Sequence, residues 1–221
     1  MAGARPLVTY TLIALNVAIF GICAIQANST DIAVYLPPLF DRWALAGVDL
    51  AGGEYWRLLT AGFLHLSLIH LGVNMLSLYV LGVSLEPALG PRQYTAVYLT
   101  ALFGGSAAVS MLGEPTTMTA GASGAIYGLM GALLILVLRA RMSVAPVVGI
   151  IAINVVLSLT LPNISILAHL GGLIFGAASA AAFVFAPRLS REWGARIAWV
   201  IVGVVLLFAV ALGVAGGYRS T

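Results

Sequence analysis

The sequence predicts an all-α polytopic membrane protein, and three observations lead to that fold class. Of its 221 residues, 62% are hydrophobic and only 8% are charged, and the mean hydropathy is +1.09. Soluble domains lie closer to about 45–50% apolar and about 25% charged. The apolar residues are also gathered into charge-poor runs of roughly 17–25 residues, the length that crosses a bilayer as a helix.

Seven such runs are predicted to form membrane-spanning helices. They cover roughly residues 7–27, 68–85, 94–112, 122–138, 144–161, 164–186 and 197–216. The first run could instead be a signal peptide. However, it is longer than the apolar core of about 7–15 residues typical of such a segment, and no clean A-x-A cleavage site follows it. We therefore expect a retained helix.

The arginines predict the orientation in the cell membrane, since all 10 basic residues are Arg. With the N-terminus inside, the inner segments hold Arg5, Arg92, Arg139, Arg141, Arg188, Arg191 and Arg196, and the outer segments hold Arg42, Arg57 and Arg219. Basic residues near span ends favour the cytoplasmic side. We therefore expect a cytoplasmic N-terminus and an extracytoplasmic C-terminus. The arginines are scattered singly, which argues against a nucleic-acid partner.

The one long loop joins the first two spans and covers roughly residues 28–67. Loops of this length in compact folds are usually structured or functional. The loop is rich in Trp and Tyr, which favour the headgroup zone, so we expect it to lie partly in the outer membrane interface. Cys23 is the only cysteine, which excludes an internal disulfide and a cysteine-based metal cluster.

Three histidines lie at or near the outer ends of the second and sixth spans, namely His65, His70 and His169. Polar side chains at such depth are candidates for function. His70 and Asn74 are four residues apart and therefore share a helix face. The zinc spacing H-E-x-x-H is absent and no carboxylate lies beside the histidines, so no metal site is predicted.

The run at 121–128 opens the fourth span after turn-forming residues at 113–117, and it places Ser123 in the first turn of the helix. In the first turn of a helix, free backbone N–H groups and the positive end of the dipole stabilise a developing oxyanion. Gly121 and Gly124 are expected to begin a glycine stripe for helix packing, and Tyr127 lies one turn beyond Ser123.

The sixth span presents His169, Gly172 and Gly176 on one face, a pattern of small residues that permits close backbone approach. We expect this face to pack against the glycine stripe of the fourth span and to bring His169 near Ser123. A lone histidine on an apolar face is more often structural. Here the neighbouring face carries a serine, which favours a nucleophile–base pair.

Helical rise supports one common depth for these groups. At about 1.5 Å per residue, Ser123, His70, Asn74 and His169 lie roughly 18–28 Å above the inner surface of a hydrocarbon core of about 30 Å. All four are therefore expected in the outer half of the bilayer.

Four motifs together resemble the rhomboid family of intramembrane serine proteases. G-A-S-G at 121–124, with Tyr127 after it, is similar to the family's active-site motif. A-H-L-G-G-L-I-F-G at 168–176 resembles its A-H-x-x-G-x-x-x-G helix, and 65–74 resembles its H-x4-H-x3-N segment. Trp56-Arg57 matches the Trp-Arg pair of its first loop. Four motifs in the right order make this resemblance specific.

The resemblance implies a six-helix core and an added seventh helix, as in bacterial "6+1" forms. Residues 1–190 would hold the core with its membrane-associated loop, and 191–221 would hold a cytoplasmic linker and the seventh helix. It also implies an endopeptidase that hydrolyses peptide bonds in or near the transmembrane helices of membrane-protein substrates, in contact with membrane lipid. No metal, nucleotide or other cofactor is implied, and the oligomeric state stays open.

By the same resemblance, Ser123 attacks the scissile carbonyl, and His169 acts as base and then as acid, without a carboxylate. Tyr127 would orient His169. The oxyanion would be held by the Ser123 N–H together with the side chains of His70 and Asn74.

The sequence favours a protease over two other interpretations. A catalytically dead relative would lack the serine or the histidine, and this chain has both. A carrier with a histidine relay would be expected to show repeated halves with broken helices, and no such repeat is present in the sequence.

Overall fold

A computed structural model describes residues 5–160, 164–188, 190 and 192–220. The helices are α1 Leu7–Ala27, α2 Ile32–Tyr35, α3 Pro38–Trp43, α4 Gly47–Ala51, α5 Arg57–Thr60, α6 Leu68–Leu89, α7 Pro91–Leu112, α8 Ser123–Arg139, α9 Ala145–Thr160, α10 Ile166–Phe185 and α11 Gly194–Gly217. In this part of the chain the other regular elements are short 3₁₀ turns and two isolated β-bridges. The prediction of an all-α polytopic fold is confirmed.

Five helices are long and apolar enough to cross a membrane, namely α1, α6, α7, α10 (with the 3₁₀ turn after it) and α11. The helices α8 and α9 are apolar but shorter, with 17 and 16 residues. Together they match the seven predicted spans, and most ends agree within about three residues, the usual uncertainty of a helix end. The predicted end of the fifth span, at residue 161, lies outside the described residues.

The largest difference is at the C-terminal end of α6, which was predicted to stop at residue 85. The helix continues through Pro87 to Leu89. Glu86, the residue after the predicted end, is only 3% exposed.

The Glu86 carboxylate caps the start of α1. It accepts hydrogen bonds from the backbone N–H groups of Val8 and Thr9, at 2.9 and 2.8 Å, and from the Thr9 hydroxyl at 2.8 Å. The first N–H groups of a helix have no partner within the helix, and a negative charge favours that end of the dipole. The acidic group that ended the apolar run in the sequence therefore joins two spans in the structure.

The centre of the bundle is α10, which packs most extensively against α7 and α8. Glycine makes this contact possible. A Cβ on Gly172 would overlap the backbone of Gly124, and a Cβ on Gly176 would overlap the backbone of Gly128. Backbones therefore meet without side chains between them, as the small-residue pattern of α10 predicts.

The predicted loop at 28–67 is structured as the four short helices α2–α5 followed by a 3₁₀ turn. Arg57 holds it together. The Arg57 guanidinium is buried, pairs with Glu54 at 2.6 Å and Asp49 at 3.4 Å, and donates to the carbonyl oxygens of Asp41 and Ala44. An antiparallel bridge between Leu45 and Thr119 ties the same loop to the segment that precedes α8.

Candidate active site

The segment before α8 sets the position of Ser123. The helix begins at Ser123, one residue after the predicted start of the span at residue 122, and Ser123 lies in its first turn. Gly121 lies outside this helix with φ of 137°, a conformation that favours glycine, and its N–H donates to the Ala61 carbonyl at 2.9 Å. The expectation that Gly121 packs in the α8 stripe is therefore corrected.

Gly121 instead forms part of the wall around Ser123. A Cβ at this position would lie 3.1 Å from ring atoms of His70 and 3.6 Å from the Ser123 Oγ. The stripe on α8 consists of Gly124, Gly128 and Gly131, each close to the backbone of α10.

His169 lies in the first turn of α10, near its N-terminus. The Ser165 hydroxyl caps this helix by accepting from the Ala168 N–H at 3.2 Å, the kind of capping that fixes where a helix starts. The imidazole is 5% exposed. The glycine contact between α8 and α10 places this turn directly beside the first turn of α8.

The result is a direct contact between the two predicted residues. The Nε2 of His169 lies 2.7 Å from the Oγ of Ser123, within hydrogen-bonding distance. The Tyr127 ring stacks on the imidazole with ring centroids 4.0 Å apart and an interplanar angle of 14°. Ser123, His169 and Tyr127 therefore come together as the sequence suggested.

His70 lies at the start of α6, and its ring borders the same space at Gly121 as the Ser123 Oγ. Its Nδ1 accepts a hydrogen bond from the Leu66 N–H at 3.3 Å. Because a neutral imidazole carries one proton, Nε2 is then the N–H donor. The His70 Nε2 lies 3.1 Å from where a Cβ on Gly121 would be, and the Ser123 Oγ lies 3.6 Å from the same point. The Nε2–H donor is therefore near the Ser123 hydroxyl.

Asn74 is buried one turn after His70, and its Nδ2 donates to the His70 carbonyl at 2.9 Å. An amide nitrogen carries two protons, so one of them remains for another acceptor. His65 precedes α6 and packs edge-on against His70, with ring centroids 5.0 Å apart. Burial, and then the neighbouring His70, lower the pKa of His65 to about 3.

Sequence reasoning missed Ser158, which lies on α9 and is buried. Its Oγ lies 2.7 Å from the Nδ1 of His169 and 2.9 Å from the hydroxyl of Tyr127. The available signal was a pair of polar residues four apart on an apolar helix, Asn154 and Ser158, which such spacing places on one face.

In the part of the chain that the structure describes, no group of three or more His, Cys, Asp or Glu side chains could hold a metal ion. The chemistry available at this site is that of a hydroxyl, an imidazole and hydrogen-bond donors.

Comparison with known proteins agrees with this architecture. Residues 52–188 match the family model described as the Rhomboid domain. The chain is 36% identical to Rhomboid protease GluP of Bacillus subtilis over 95% of its own length and 40% of that protein. It is 36% identical to RHOMBOID-like protein 6, mitochondrial, of Arabidopsis thaliana, over 66% of this chain and 51% of that one.

The Bacillus subtilis protein YdcA is 31% identical over 77% of this chain and 85% of its own length. Fold and composition define a multi-pass, all-α membrane protein. The matched domain and these relatives identify it further: the chain belongs to the rhomboid family. It spans about half or less of the length of GluP and of RHOMBOID-like protein 6.

Proposed function

We propose that this protein is an intramembrane serine endopeptidase that uses Ser123 and His169 as a catalytic dyad. The observation that carries the proposal is the 2.7 Å contact between the Ser123 Oγ and the His169 Nε2. A serine hydroxyl is a weak nucleophile until a base takes its proton. The name of one relative, Rhomboid protease GluP, supports a protease activity.

The reaction would proceed by acyl transfer. The Ser123 Oγ attacks the scissile carbonyl carbon while its proton passes to the His169 Nε2, and a tetrahedral oxyanion forms. When the C–N bond breaks, the imidazolium gives this proton to the leaving amine. Water then attacks the acyl-enzyme with His169 again as base, and Ser123 is restored.

The oxyanion would be stabilised from two sides. The first-turn position of Ser123 offers its backbone N–H and the positive end of the α8 dipole. From α6, the Nε2–H of His70 and the second N–H of the Asn74 amide supply further donors. Tyr127 would keep the imidazole plane fixed by stacking.

The substrates would be membrane proteins cut in or near a transmembrane helix, within lipid. The orientation follows from the arginines, with the N-terminus cytoplasmic and the C-terminus extracytoplasmic in the cell membrane. We divide the chain into the catalytic core at 1–190 and the linker with its seventh helix at 191–221. The dyad requires no metal or cofactor for this chemistry.

A fluorescent fluorophosphonate tests the proposal on the purified full-length protein in detergent. The probe phosphonylates a serine that an adjacent base activates: an Oγ–P bond forms and fluoride leaves. Labelling is expected in the wild type, none is expected in Ser123→Ala, and strongly reduced labelling is expected in His169→Ala. The matched control is Ser84→Ala, which removes an exposed hydroxyl on α6. Equal labelling of Ser123→Ala and the wild type would overturn the proposal.

A further inference from the structure

Three hydrogen bonds converge on one hydroxyl behind the catalytic pair. The Ser158 Oγ lies 2.7 Å from the Asn154 carbonyl oxygen, 2.9 Å from the Tyr127 hydroxyl and 2.7 Å from the His169 Nδ1. These partners belong to three helices, α9, α8 and α10. Ser158 is 6% exposed, so water does not compete freely for these bonds.

Counting donors and acceptors fixes the direction of each bond. A serine hydroxyl has one proton to donate and two lone pairs to accept with. A carbonyl oxygen can only accept, so the Ser158 proton goes to Asn154. The Tyr127 hydroxyl and the His169 Nδ1 must then each donate to Ser158, and only this assignment turns all three contacts into hydrogen bonds.

The assignment decides which nitrogen of His169 is the base. If Nδ1 carries the proton, the neutral ring has its lone pair on Nε2. That is the nitrogen 2.7 Å from Ser123. In the opposite tautomer, Nε2 would present a proton to the hydroxyl that it has to deprotonate.

We propose, building on the proposed Ser123–His169 dyad, that Ser158 is a positioning residue that holds His169 in the tautomer able to accept the Ser123 proton. In a Ser-His-Asp triad a carboxylate accepts the hydrogen bond from the histidine Nδ1–H. Here the neutral hydroxyl of Ser158 is the acceptor. When His169 becomes imidazolium, its Nδ1–H bond to Ser158 becomes charge-assisted and stronger. The bond therefore contributes more in the transition state than in the ground state, which is what raises kcat.

The position of Ser158 also ties α9 to the site. In the described helix, the buried residues are Val147 and Ser158, and the rest of α9 is exposed to a larger or smaller degree. The bonds of Ser158 to α8 and α10 therefore hold the buried polar side chain of a largely apolar helix. A purely structural bond of this kind would affect the melting temperature and leave kcat unchanged.

The test uses the full chain in detergent with a single-span model substrate and a fluorophosphonate. Ser158→Ala should lower kcat and the fluorophosphonate inactivation rate by about five- to tenfold, the factor expected from one lost hydrogen bond. KM should stay within about twofold, since no substrate contact is removed. Ser158→Thr should restore most of the rate, because threonines in these helices make the same bond to the carbonyl four residues earlier, as Thr100 does.

Thr160→Ala is the matched control, since it removes a hydroxyl from the exposed face of the same helix, and its kcat should be unchanged. The inference is overturned if Ser158→Ala keeps the wild-type kcat and inactivation rate, or if only its KM changes. It is also overturned if a folded Ser158→Thr is as slow as Ser158→Ala. In each of these cases an inactive Ser123→Ala would still support the proposed dyad. An active Ser123→Ala would instead refute the dyad proposal.

Discussion

The Tyr127 ring lies almost parallel to the His169 imidazole, with ring centroids 4.0 Å apart, while its hydroxyl reaches Ser158 at 2.9 Å. The ring and the hydroxyl therefore act on the imidazole in different ways. The ring restricts the plane of the His169 imidazole directly, whereas the hydroxyl acts through its hydrogen bond to Ser158.

Tyr127 can be tested by removing these two parts separately. Tyr127→Phe keeps the stacked ring, so kcat should fall by about threefold or less, whereas Tyr127→Ala frees the imidazole and should cost about tenfold or more, since catalytic side chains need locked rotamers. Steady-state cleavage of a model substrate measures both variants. Equal losses in the two would show that the hydroxyl, and not the stacking, is what matters.

Ser123 and His169 should behave as one unit. Ser123→Ala, His169→Ala and the double variant are expected to lose similar activity, because a base without its nucleophile contributes as little as the reverse. Single-turnover assays on folded, detergent-solubilised protein provide the measurement. Multiplicative losses in the double variant would contradict a shared proton transfer.

The proposed oxyanion donors should affect rate more than substrate affinity. His70→Ala removes the Nε2–H beside Ser123, and the loss of one such donor commonly lowers kcat by about 10²–10³-fold. Asn74→Ala should act in the same direction. An increase in KM with unchanged kcat would instead mean that these side chains contact the substrate in its ground state.

Gly172→Ala should weaken the contact between α8 and α10, because the added Cβ overlaps the Gly124 backbone. Overpacking of this kind costs about 1–3 kcal/mol, and it should also displace His169 from Ser123. The melting temperature and kcat should fall together. Gly203→Ala on α11 is the control, since a Cβ there meets nothing within 4 Å. Normal activity in Gly172→Ala would mean that α8 and α10 can move apart without displacing His169 from Ser123.

Substrate helices are expected to be cut near their extracytoplasmic end, because the proposed site lies in the outer half of the bilayer. Carbonyl groups within a helix are hydrogen-bonded and screened from attack, so the substrate helix must unwind before it is cut. Gly or Pro near the cut should assist cleavage because both destabilise a helix, and small residues are expected at the cut itself. The experiment replaces these helix-loosening residues of a single-span substrate with Leu. Undiminished cleavage of the all-Leu helix would refute the unwinding requirement, and cleavage at the cytoplasmic end would refute the proposed depth.

The spans could be predicted because apolar runs have the length of the bilayer. The Ser123–His169 contact joins residues 46 positions apart, and it could be predicted because the small-residue pattern of α10 indicates which face packs closely. The remaining contacts carry no such pattern. Glu86 meets Thr9 77 positions away, and Ser158 meets Tyr127 31 positions away, so no local pattern identifies either pair.

Gly121 shows that the start of a helix is hard to predict from the sequence. The spacing of glycines on an ideal helix placed it in the α8 stripe, but the helix begins two residues later, at Ser123. Helix starts depend on capping and on the incoming loop. Here the hydrogen bond to Ala61 turns the chain before the helix begins.

The backbone contact between α8 and α10 has a consequence for how the protein is handled. Lipid tails are as apolar as leucine, so helices in a bilayer associate through close van der Waals packing rather than through exclusion of water. Contact between the Gly124 and Gly172 backbones is of this kind and is insensitive to the surrounding apolar medium. The distance between nucleophile and base should therefore survive extraction from membrane to mild detergent, even where the outer helices α1 and α11 loosen.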